Sequence, residues 1–351
     1  MEKVDYLIVG QGVAGSLLAH FLLKNNQKIA IVDNENIFAS STVAAGIINP
    51  ITGRNFVKTW LADETIAQSI QFYSELSPDF YQNLPLVWLL ENIKQANDWE
   101  ILSANPQVNY FINTDKKLAN DLVKSYFNEV VDNVILAQSG KINLNKVLNY
   151  FKNILSQGLY LAEKFDFKQL IVKDSVYYKQ IVADKIVFCE GYQAAENIFF
   201  NDLHYKFAKG EVMIARILDY QFADYIIKHK GLLIAPLEDN LYWVGSSYDR
   251  DFAHVLPTAA AYNNLKSEFE QIYTGKYEIF SYLAGVRPTV RDRKPYLGQH
   301  KTAQKVYIFN GLGAKGSYLA PYFAQLMCDY LLGKAALPKD IDIWRIYKKR
   351  N

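Results

Sequence analysis

A glycine turn near the amino terminus constrains this chain more than any other feature. Residues 4–9 form an apolar run typical of a buried strand, and the turn G-Q-G-V-A-G follows at residues 10–15. Residues 14–22 then repeat apolar side chains at helical spacing, and a second apolar strand at residues 28–32 ends at Asp33. Strand, glycine turn, helix, strand and acid in this order predict a dinucleotide-binding unit.

Each residue type in this unit has a physical reason. Gly10 allows the tight turn, Gly12 lets backbone amides approach a pyrophosphate, and Gly15 lets the helix pack closely on the strand. Asp33 stands where a carboxylate can bind a ribose hydroxyl, and the helix N-terminus favours phosphate. The alternative for G-x-G-x-x-G alone is an ordinary strand-to-helix turn, but the flanking strands and the acid favour a nucleotide site.

Composition bounds the class of protein. The chain has 351 residues, enough for about two domains, with 38 Lys and Arg against 36 Asp and Glu. The resulting charge of +2 makes nucleic acid an improbable partner without excluding it. Cys189 and Cys328 lie in apolar runs without metal-like spacing and are expected to be core residues of a protein in a reducing compartment. With no leader pattern and no apolar run long enough to span a bilayer, we expect a cytoplasmic protein.

The carboxyl-terminal third repeats the opening pattern. A strand at residues 306–309 enters the turn G-L-G-A-K-G-S at residues 311–317, and a helix follows at residues 318–332. Two such helix N-termini suggest one long cofactor held at both ends. A flavin gains negative charge at its N1 and C2 carbonyl edge when reduced, and a helix N-terminus with Lys315 beside it would stabilise that charge. The alternative is a structural glycine cap with a surface lysine.

Taken together, the motifs resemble the FAD-dependent D-amino-acid oxidase superfamily, including its glycine oxidases. The residues that carry the resemblance are the turn at 10–15, Asp33, the loop at 41–46, Glu190-Gly191, the run G-V-R-P at 285–288 with Asp292 and Pro295, and the turn at 311–317 with Ala320-Pro321.

The resemblance implies oxidation of a carbon–nitrogen bond by hydride transfer to FAD, followed by reoxidation by oxygen or another electron acceptor. Covalent members of the family use a cysteine just after the Gly-x-Arg segment, where this chain has Pro288-Thr289, so non-covalent FAD is expected. The arginine that pairs with a substrate carboxylate falls on Arg287. Arg287 could instead hold a structural carboxylate such as Asp292.

The resemblance also implies a domain organisation and a set of site residues. We expect an α/β fold, with residues 1–80, 140–202 and 285–351 forming a discontinuous Rossmann-like FAD-binding domain of the glutathione-reductase type. Residues 81–139 and 203–284 would form a substrate domain built on a mixed, largely antiparallel sheet. The catalytic candidates are Arg287 and Lys315. The cofactor-binding candidates are Gly10, Gly12, Val13, Ala14, Gly15, Asp33, Ser41, Thr42, Ala45, Gly46, Gly191, Gly311, Gly313, Gly316 and Ser317. No metal site is expected.

Three functions remain open from the sequence. The first is oxidation of a small amino acid or secondary amine that carries a carboxylate. The second is oxidation of a glycine-like adduct on tRNA. The cation Lys315 in the turn at residues 311–316, together with Val286 and Asp292-Arg293, also resembles the oxidase domain of the bifunctional enzyme that modifies the tRNA wobble uridine. The third is a flavin-binding protein without turnover. The sequence leaves the oligomeric state open, with a homo-oligomer as one alternative.

Overall fold

A computed structural model of the chain describes residues 1–53, 55–113, 126–219 and 222–348. It divides into two compact units. The first unit comprises Met1–Thr42, Leu144–Ala208 and Val286–Asn351, and the second comprises Val43–Asn143 and Lys209–Gly285. Arg54 and most of the helix that the sequence predicts at residues 117–127 lie outside the described residues.

The strands of the described residues are, in chain order, β1 (Glu2–Val9), β2 (Ile29–Asp33), β3 (Ile47–Ile48), β4 (Ile51–Thr52), β5 (Val57–Lys58), β6 (Tyr81–Gln82), β7 (Leu86–Leu90), β8 (Ile112–Asn113), β9 (Asp132–Leu136), β10 (Gly140–Ile142), β11 (Leu159–Ala162), β12 (Leu170–Val172), β13 (Val176–Tyr178), β14 (Ile181–Phe188), β15 (Ala208–Ile217), β16 (Ile226–His229), β17 (Leu232–Pro236), β18 (Leu241–Gly245), β19 (Tyr277–Arg287), β20 (Tyr296–Gln299) and β21 (Val306–Asn310).

The α-helices of the same residues are α1 (Val13–Lys24), α2 (Ser40–Val43), α3 (Ala62–Leu76), α4 (Ile93–Ser103), α5 (Pro106–Asn109), α6 (Leu144–Leu155), α7 (Ala259–Ile272), α8 (Gly316–Leu331) and α9 (Trp344–Tyr347). Short 3-10 turns lie at Phe167–Gln169, Gly191–Glu196 and Gly313–Lys315.

The first unit is built on a sheet with the strand order β11-β2-β1-β14-β13-β12, and β21 also pairs with β14. The strands β11, β2, β1, β14 and β21 run parallel to one another. β1 ends in a run of buried side chains, because a parallel sheet is covered on both faces. Helix α1 packs against α6 and α8. This is the Rossmann-like architecture that the sequence predicts.

The second unit is built on a sheet with the strand order β19-β15-β18-β17-β16-β7-β9-β8. β16 and β7 are parallel, whereas β15, β18, β17 and β16 pair antiparallel in succession. Alternate side chains of these strands enter two different apolar clusters, one of which includes Leu265, Phe269 and Ile272 of α7. The expected mixed, largely antiparallel sheet is confirmed.

The boundaries of the units differ from those that the sequence predicts. Residues 43–80, expected in the FAD-binding domain, lie in the second unit, and the later boundaries shift to residues 144, 209 and 286. The reason is packing: β3 pairs with β10, and Val43, Ile51 and Phe56 enter the same apolar cluster as Trp88 and Trp99. A local sequence pattern does not specify which sheet a short strand joins.

Candidate functional site

Three parallel strands of the first unit end at the same edge of its sheet. Val9 of β1 lies beside Phe188 of β14, which in turn lies beside Ile308 of β21. Each strand is followed within three residues by a glycine with positive φ: Gly10, Gly191 and Gly311. β2 lies on one side of β1 and β14 on the other, so this edge is the switch point where α/β proteins bind ligands.

The first turn needs glycine at two positions for reasons of space. Gly10 has a φ of 99°, and a Cβ there would lie 2.6 Å from the Cys189 carbonyl oxygen. A Cβ on Gly15 would lie only 1.8 Å from the Gly10 carbonyl oxygen. Both glycines therefore allow the close approach of turn, helix and neighbouring strand that the motif predicts.

The N-terminus of α1 presents unsatisfied backbone donors. Val13 N–H donates to Ser41 Oγ at 3.2 Å, and the Gly12 N-cap has no side chain to accept from the helix. Among the described residues, the N–H groups of Gly12, Ala14 and Gly15 have no protein acceptor. Such donors at a helix start, together with the helix dipole, suit an anionic group such as a pyrophosphate.

Asp33 ends β2 beside this turn. Its two carboxylate oxygens accept the Gln11 N–H at 2.7 Å and the Glu35 N–H at 2.8 Å. These bonds hold the carboxylate in place, and each oxygen retains a lone pair for a further donor. The position fits the ribose-binding role that the motif predicts.

The loop candidates at residues 41–46 have different surroundings. Ser41 is the acceptor for Val13, whereas the Thr42 hydroxyl donates within its own loop, 2.8 Å from the carbonyls of Ile37 and Ala39. Ala45 and Gly46 belong to the second unit, where Ala45 is a core residue. A Cβ on Gly46 would lie 1.9 Å from the Ile142 carbonyl oxygen, so strand pairing alone requires glycine there.

The second glycine turn is tied to the segment that carries Arg287. Gly313 N–H donates to the Pro288 carbonyl at 3.3 Å, and a Cβ on Gly311 would lie 3.0 Å from Val290 Cγ1. Gly191 belongs to the same region, since Asn310 Nδ2 donates to its carbonyl at 2.8 Å. The structure therefore brings the predicted turns and the Arg287 segment together within one unit.

Lys315 ends the short 3-10 turn that leads into α8. Gly316 starts α8, and a Cβ on it would lie 3.5 Å from Val13 Cγ1, so the two glycine turns adjoin. Ser317 is buried in the next position. Burial lowers the pKa of Lys315, and the neighbouring charge of Arg293 lowers it further. A cation held in this way gains energy from any negative charge that develops beside it.

Asp292, which the sequence offers as a structural partner for Arg287, has a different partner. The guanidinium of Arg345 donates two hydrogen bonds to the Asp292 carboxylate, from Nε to Oδ2 at 2.9 Å and from Nη2 to Oδ1 at 3.2 Å. Arg287 itself is the last residue of β19 and is partly buried. The interpretation of Arg287 as the partner of Asp292 loses its basis.

One charged residue at the site, Glu190, is not among the catalytic or cofactor-binding candidates that the sequence predicts. Glu190 precedes Gly191 at the end of β14, and its carboxyl group accepts a hydrogen bond from Asn197 Nδ2 at 2.6 Å. The resemblance includes this residue only as part of a turn. A carboxyl group at the end of a parallel strand is the signal that could have identified it.

Neither metal nor membrane features occur in the described ranges. Their His, Cys, Asp and Glu side chains form no group of three or more that could hold a metal ion. In the same part of the chain, no helix has both the length and the apolar character needed to cross a bilayer.

Comparison with known proteins identifies the family. A family model described as FAD dependent oxidoreductase matches residues 5–330. The bifunctional protein MnmC of Idiomarina loihiensis, named for tRNA 5-methylaminomethyl-2-thiouridine biosynthesis, is 30% identical over 113 residues. That match covers 31% of this chain and 18% of MnmC.

Solved structures share the fold. A glycine oxidase from Bacillus cereus ATCC 14579 has a TM-score of 0.81 at 21% identity, covering 95% of this chain and 96% of that one. An iminodiacetate oxidase from Chelativorans sp. BNC1 also has a TM-score of 0.81, at 16% identity, covering 96% and 98%. The predicted fold class is confirmed, and the family match makes FAD the cofactor. The backbone N–H groups of Gly12, Ala14 and Gly15, which we call the open amides, and the adjoining second glycine turn fit such a dinucleotide.

Proposed function

This chain belongs to the FAD dependent oxidoreductase family, and on that premise we propose that it oxidises the carbon–nitrogen bond of a small amino acid or secondary amine bearing a carboxylate. FAD, when bound, supplies the acceptor for the hydride that leaves the carbon next to nitrogen. We propose non-covalent FAD and oxygen, or another electron acceptor, as the oxidant that completes the cycle.

The first unit supplies the residues for the cofactor. The open amides of Gly12, Ala14 and Gly15 would hold the pyrophosphate, and Asp33 would accept from the ribose. The other candidates would line the same edge of the sheet: Gly10, Val13, Ser41, Thr42, Gly191, Gly311, Gly313, Gly316 and Ser317. Ala45 and Gly46, which belong to the second unit, have the weakest support because packing there accounts for both.

Arg287 would bind the substrate carboxylate. A guanidinium forms two parallel hydrogen bonds with a carboxylate, which both holds and orients an amino acid. The observation that carries the proposal is the hydrogen bond from Gly313 N–H to the Pro288 carbonyl, because it joins the Arg287 segment to the second glycine turn. A substrate held by Arg287 would therefore lie beside the part of the site that faces the flavin.

Lys315 would stabilise negative charge rather than transfer a proton. A half-buried ammonium and the N-terminus of α8 together favour negative charge that appears beside them during hydride transfer. Orientation by Arg287 and charge stabilisation by Lys315 are the two tasks that this chemistry asks of the protein.

The experiment is anaerobic mixing of the flavin-loaded protein with glycine, sarcosine, D-alanine, proline and iminodiacetate while flavin absorbance is recorded. We expect at least one of these to bleach the flavin. Arg287→Ala should lower kcat/KM for that substrate at least about thirtyfold, the equivalent of ~2 kcal/mol for a lost buried charge pair. Arg291→Ala, which removes an exposed arginine of the same segment, is the matched control.

Two outcomes would contradict the proposed substrate class or the role of Arg287. If the flavin is bound but no compound of the panel bleaches it, the small-amine proposal is wrong for this panel and a protein without turnover gains support. If a substrate bleaches the flavin, and the flavin of the Arg287→Ala variant is reduced by that substrate as fast as the flavin of the unaltered protein, the assignment of Arg287 is wrong.

A tRNA adduct is the second candidate, favoured by the partial match to MnmC. A carboxymethylaminomethyl group is an N-substituted glycine, so its carboxylate could use Arg287 in the same way. Binding to tRNA should then weaken steeply with salt, because each phosphate contact releases counterions. Absence of salt-sensitive tRNA binding would remove this candidate.

A further inference from the structure

A hydrogen bond between side chains joins the loops that follow β2 and β14. Asn36 Nδ2 donates to the Tyr192 hydroxyl at 3.0 Å, and Asn36 Oδ1 accepts the Phe38 N–H at 2.9 Å, which holds the amide in this orientation. Asn36 lies three residues beyond the end of β2, and Tyr192 lies four residues beyond the end of β14. Both residues belong to the first unit. We call this bonded pair, Asn36 and Tyr192, the strap.

The strap crosses the carboxyl end of β1. β1 lies between β2 and β14 in the sheet, and Val9 of β1 pairs in register with Val32 of β2 and with Phe188 of β14. Since neighbouring strands lie about 4.8 Å apart, two strand spacings separate the loops that carry the strap, and a bond between these loops has to pass β1. Gly10, which begins the first glycine turn, follows Val9 directly. The strap therefore spans the switch point of the sheet.

The place proposed for the dinucleotide overlaps with the strap. The open amides at the start of α1 would hold the pyrophosphate, and Asp33 at the end of β2 would accept from the ribose. The adenosine half of the cofactor would thus extend from the end of β1 toward the end of β2. The strap covers the same interval, because it runs from the loop after β2 across β1. A bound dinucleotide and the strap would therefore share the crevice at the switch point.

The tip of the loop after β2 has weak support from other contacts. Ile37 is 71% exposed, so its side chain adds little packing. Lys152 of α6 pairs with Glu35 at 2.8 Å, but these side chains are 42% and 45% exposed, and ion pairs of this kind stabilise weakly. The Thr42 hydroxyl donates to the Ile37 carbonyl, which ties the loop to α2 and not to β14. The hydrogen bond of the strap can therefore break without disturbing the core.

We propose that Asn36 and Tyr192 form a gate for FAD: their hydrogen bond closes the crevice over the adenosine half of the cofactor and has to break each time FAD enters or leaves. The inference rests on the proposed place of the dinucleotide at the first turn and not on the identity of the substrate. A gate of this kind acts on rates. It lowers the rate constants of FAD association and dissociation by the same factor and leaves the dissociation constant nearly unchanged, because the bond is present before and after FAD binds.

The test measures the entry and exit of FAD with the full-length chain. Association is followed by the quenching of flavin fluorescence after FAD is mixed with protein whose flavin has been removed. Dissociation is followed by the return of that fluorescence after the loaded protein is diluted. Tyr192→Phe removes only the hydroxyl of the strap. We expect both rate constants to rise about fivefold, the factor that corresponds to one ordinary hydrogen bond, while their ratio changes by less than about twofold.

Two further variants sharpen the measurement. Asn36→Ala breaks the same bond from the other side, so the double variant with Tyr192→Phe should exchange FAD no faster than the faster single variant. Tyr177→Phe is the matched control, because Tyr177 pairs with Val182 near the beginning of β14, away from the carboxyl edge of the sheet. This control should exchange FAD at the rates of the unaltered protein.

The outcomes separate the gate from the other assignments. Unchanged rate constants in Tyr192→Phe overturn the gate, and so does a rise in the dissociation rate constant alone, because Tyr192 would then be an ordinary contact of the cofactor. Asn36→Ala decides the question if the Tyr192→Phe chain fails to fold. A chain that binds no FAD overturns the cofactor assignment as well. A flavin that binds but that no amine bleaches contradicts the proposed function and leaves the measured rates of FAD exchange valid.

Discussion

Replacing Gly15 by alanine tests whether the first turn depends on close packing. The added Cβ would lie 1.8 Å from the Gly10 carbonyl oxygen and 3.0 Å from its carbonyl carbon, both backbone atoms that no rotamer change can move. Since 3.4 Å is the start of ordinary contact, α1 would have to move away from the turn by about 1.6 Å.

The loss in the free energy of unfolding depends on the side chains that α1 buries. Leu17, Leu18 and Leu22 are fully buried on this helix, so a shift of that size disturbs the core of the first unit. Overpacking costs about 1–3 kcal/mol, and a backbone obstacle places this change at about 3 kcal/mol or more. The same shift would move the amides of Ala14 and Gly15, so affinity for FAD should fall together with stability.

The assay is urea unfolding followed by far-ultraviolet circular dichroism, with hydrogen exchange of the α1 amides to locate the loss. Gly158→Ala is the control, because its Cβ would meet nothing nearer than the Leu155 carbonyl oxygen at 3.6 Å and its φ is not positive. We expect the control to stay within about 1 kcal/mol of the unaltered protein. If Gly15→Ala unfolds at the same urea concentration as Gly158→Ala, the reasoning from contact distance is refuted.

Two ion pairs provide further predictions. Lys209 and Glu211 are almost fully buried with Nζ and Oε1 2.8 Å apart, so Lys209→Met should cost about 3–5 kcal/mol in urea unfolding, and adding Glu211→Leu should recover part of that loss. A single variant as stable as the unaltered protein would contradict this. Burial acts to raise the pKa of Asp292, but Arg345 lowers it on balance, so this pair stabilises the protein above the unfolded carboxyl pKa of about 3.9 and loses its effect as pH falls further. Arg345→Met should therefore lower stability near neutral pH and flatten its decline below about pH 4; an unchanged acid profile would be the contrary result.

Prediction from sequence succeeded where the constraint is local. Gly10 and Gly15 were assigned to a tight turn and a close helix contact, and the approach distances in the structure agree with both roles. Helix α6 (Leu144–Leu155) is local in the same way, because its buried apolar face repeats at helical spacing. Such features depend on residues that are neighbours in the chain.

Sequence patterns say less where the partner lies far along the chain. The sequence makes Gly46 a cofactor-binding candidate, and only the structure shows that Gly46 faces Ile142 across a strand pair. Lys209 and Glu211 lie two residues apart on β15, and Thr258, far along the chain, donates two hydrogen bonds to Glu211 and so helps to bury the pair. No pattern of spacing contains these partners.

The sequence by itself determined the family, the cofactor and the glycine turns, since backbone conformation and helix dipoles are properties of short segments. Only the tertiary structure decided that residues 43–80 pack in the second unit, that Arg345 and not Arg287 holds Asp292, and that the backbone at Cys189 and Glu190 lies beside the first turn. These depend on which surfaces meet when strands align, and burial where they meet shifts the pKa of the groups enclosed there.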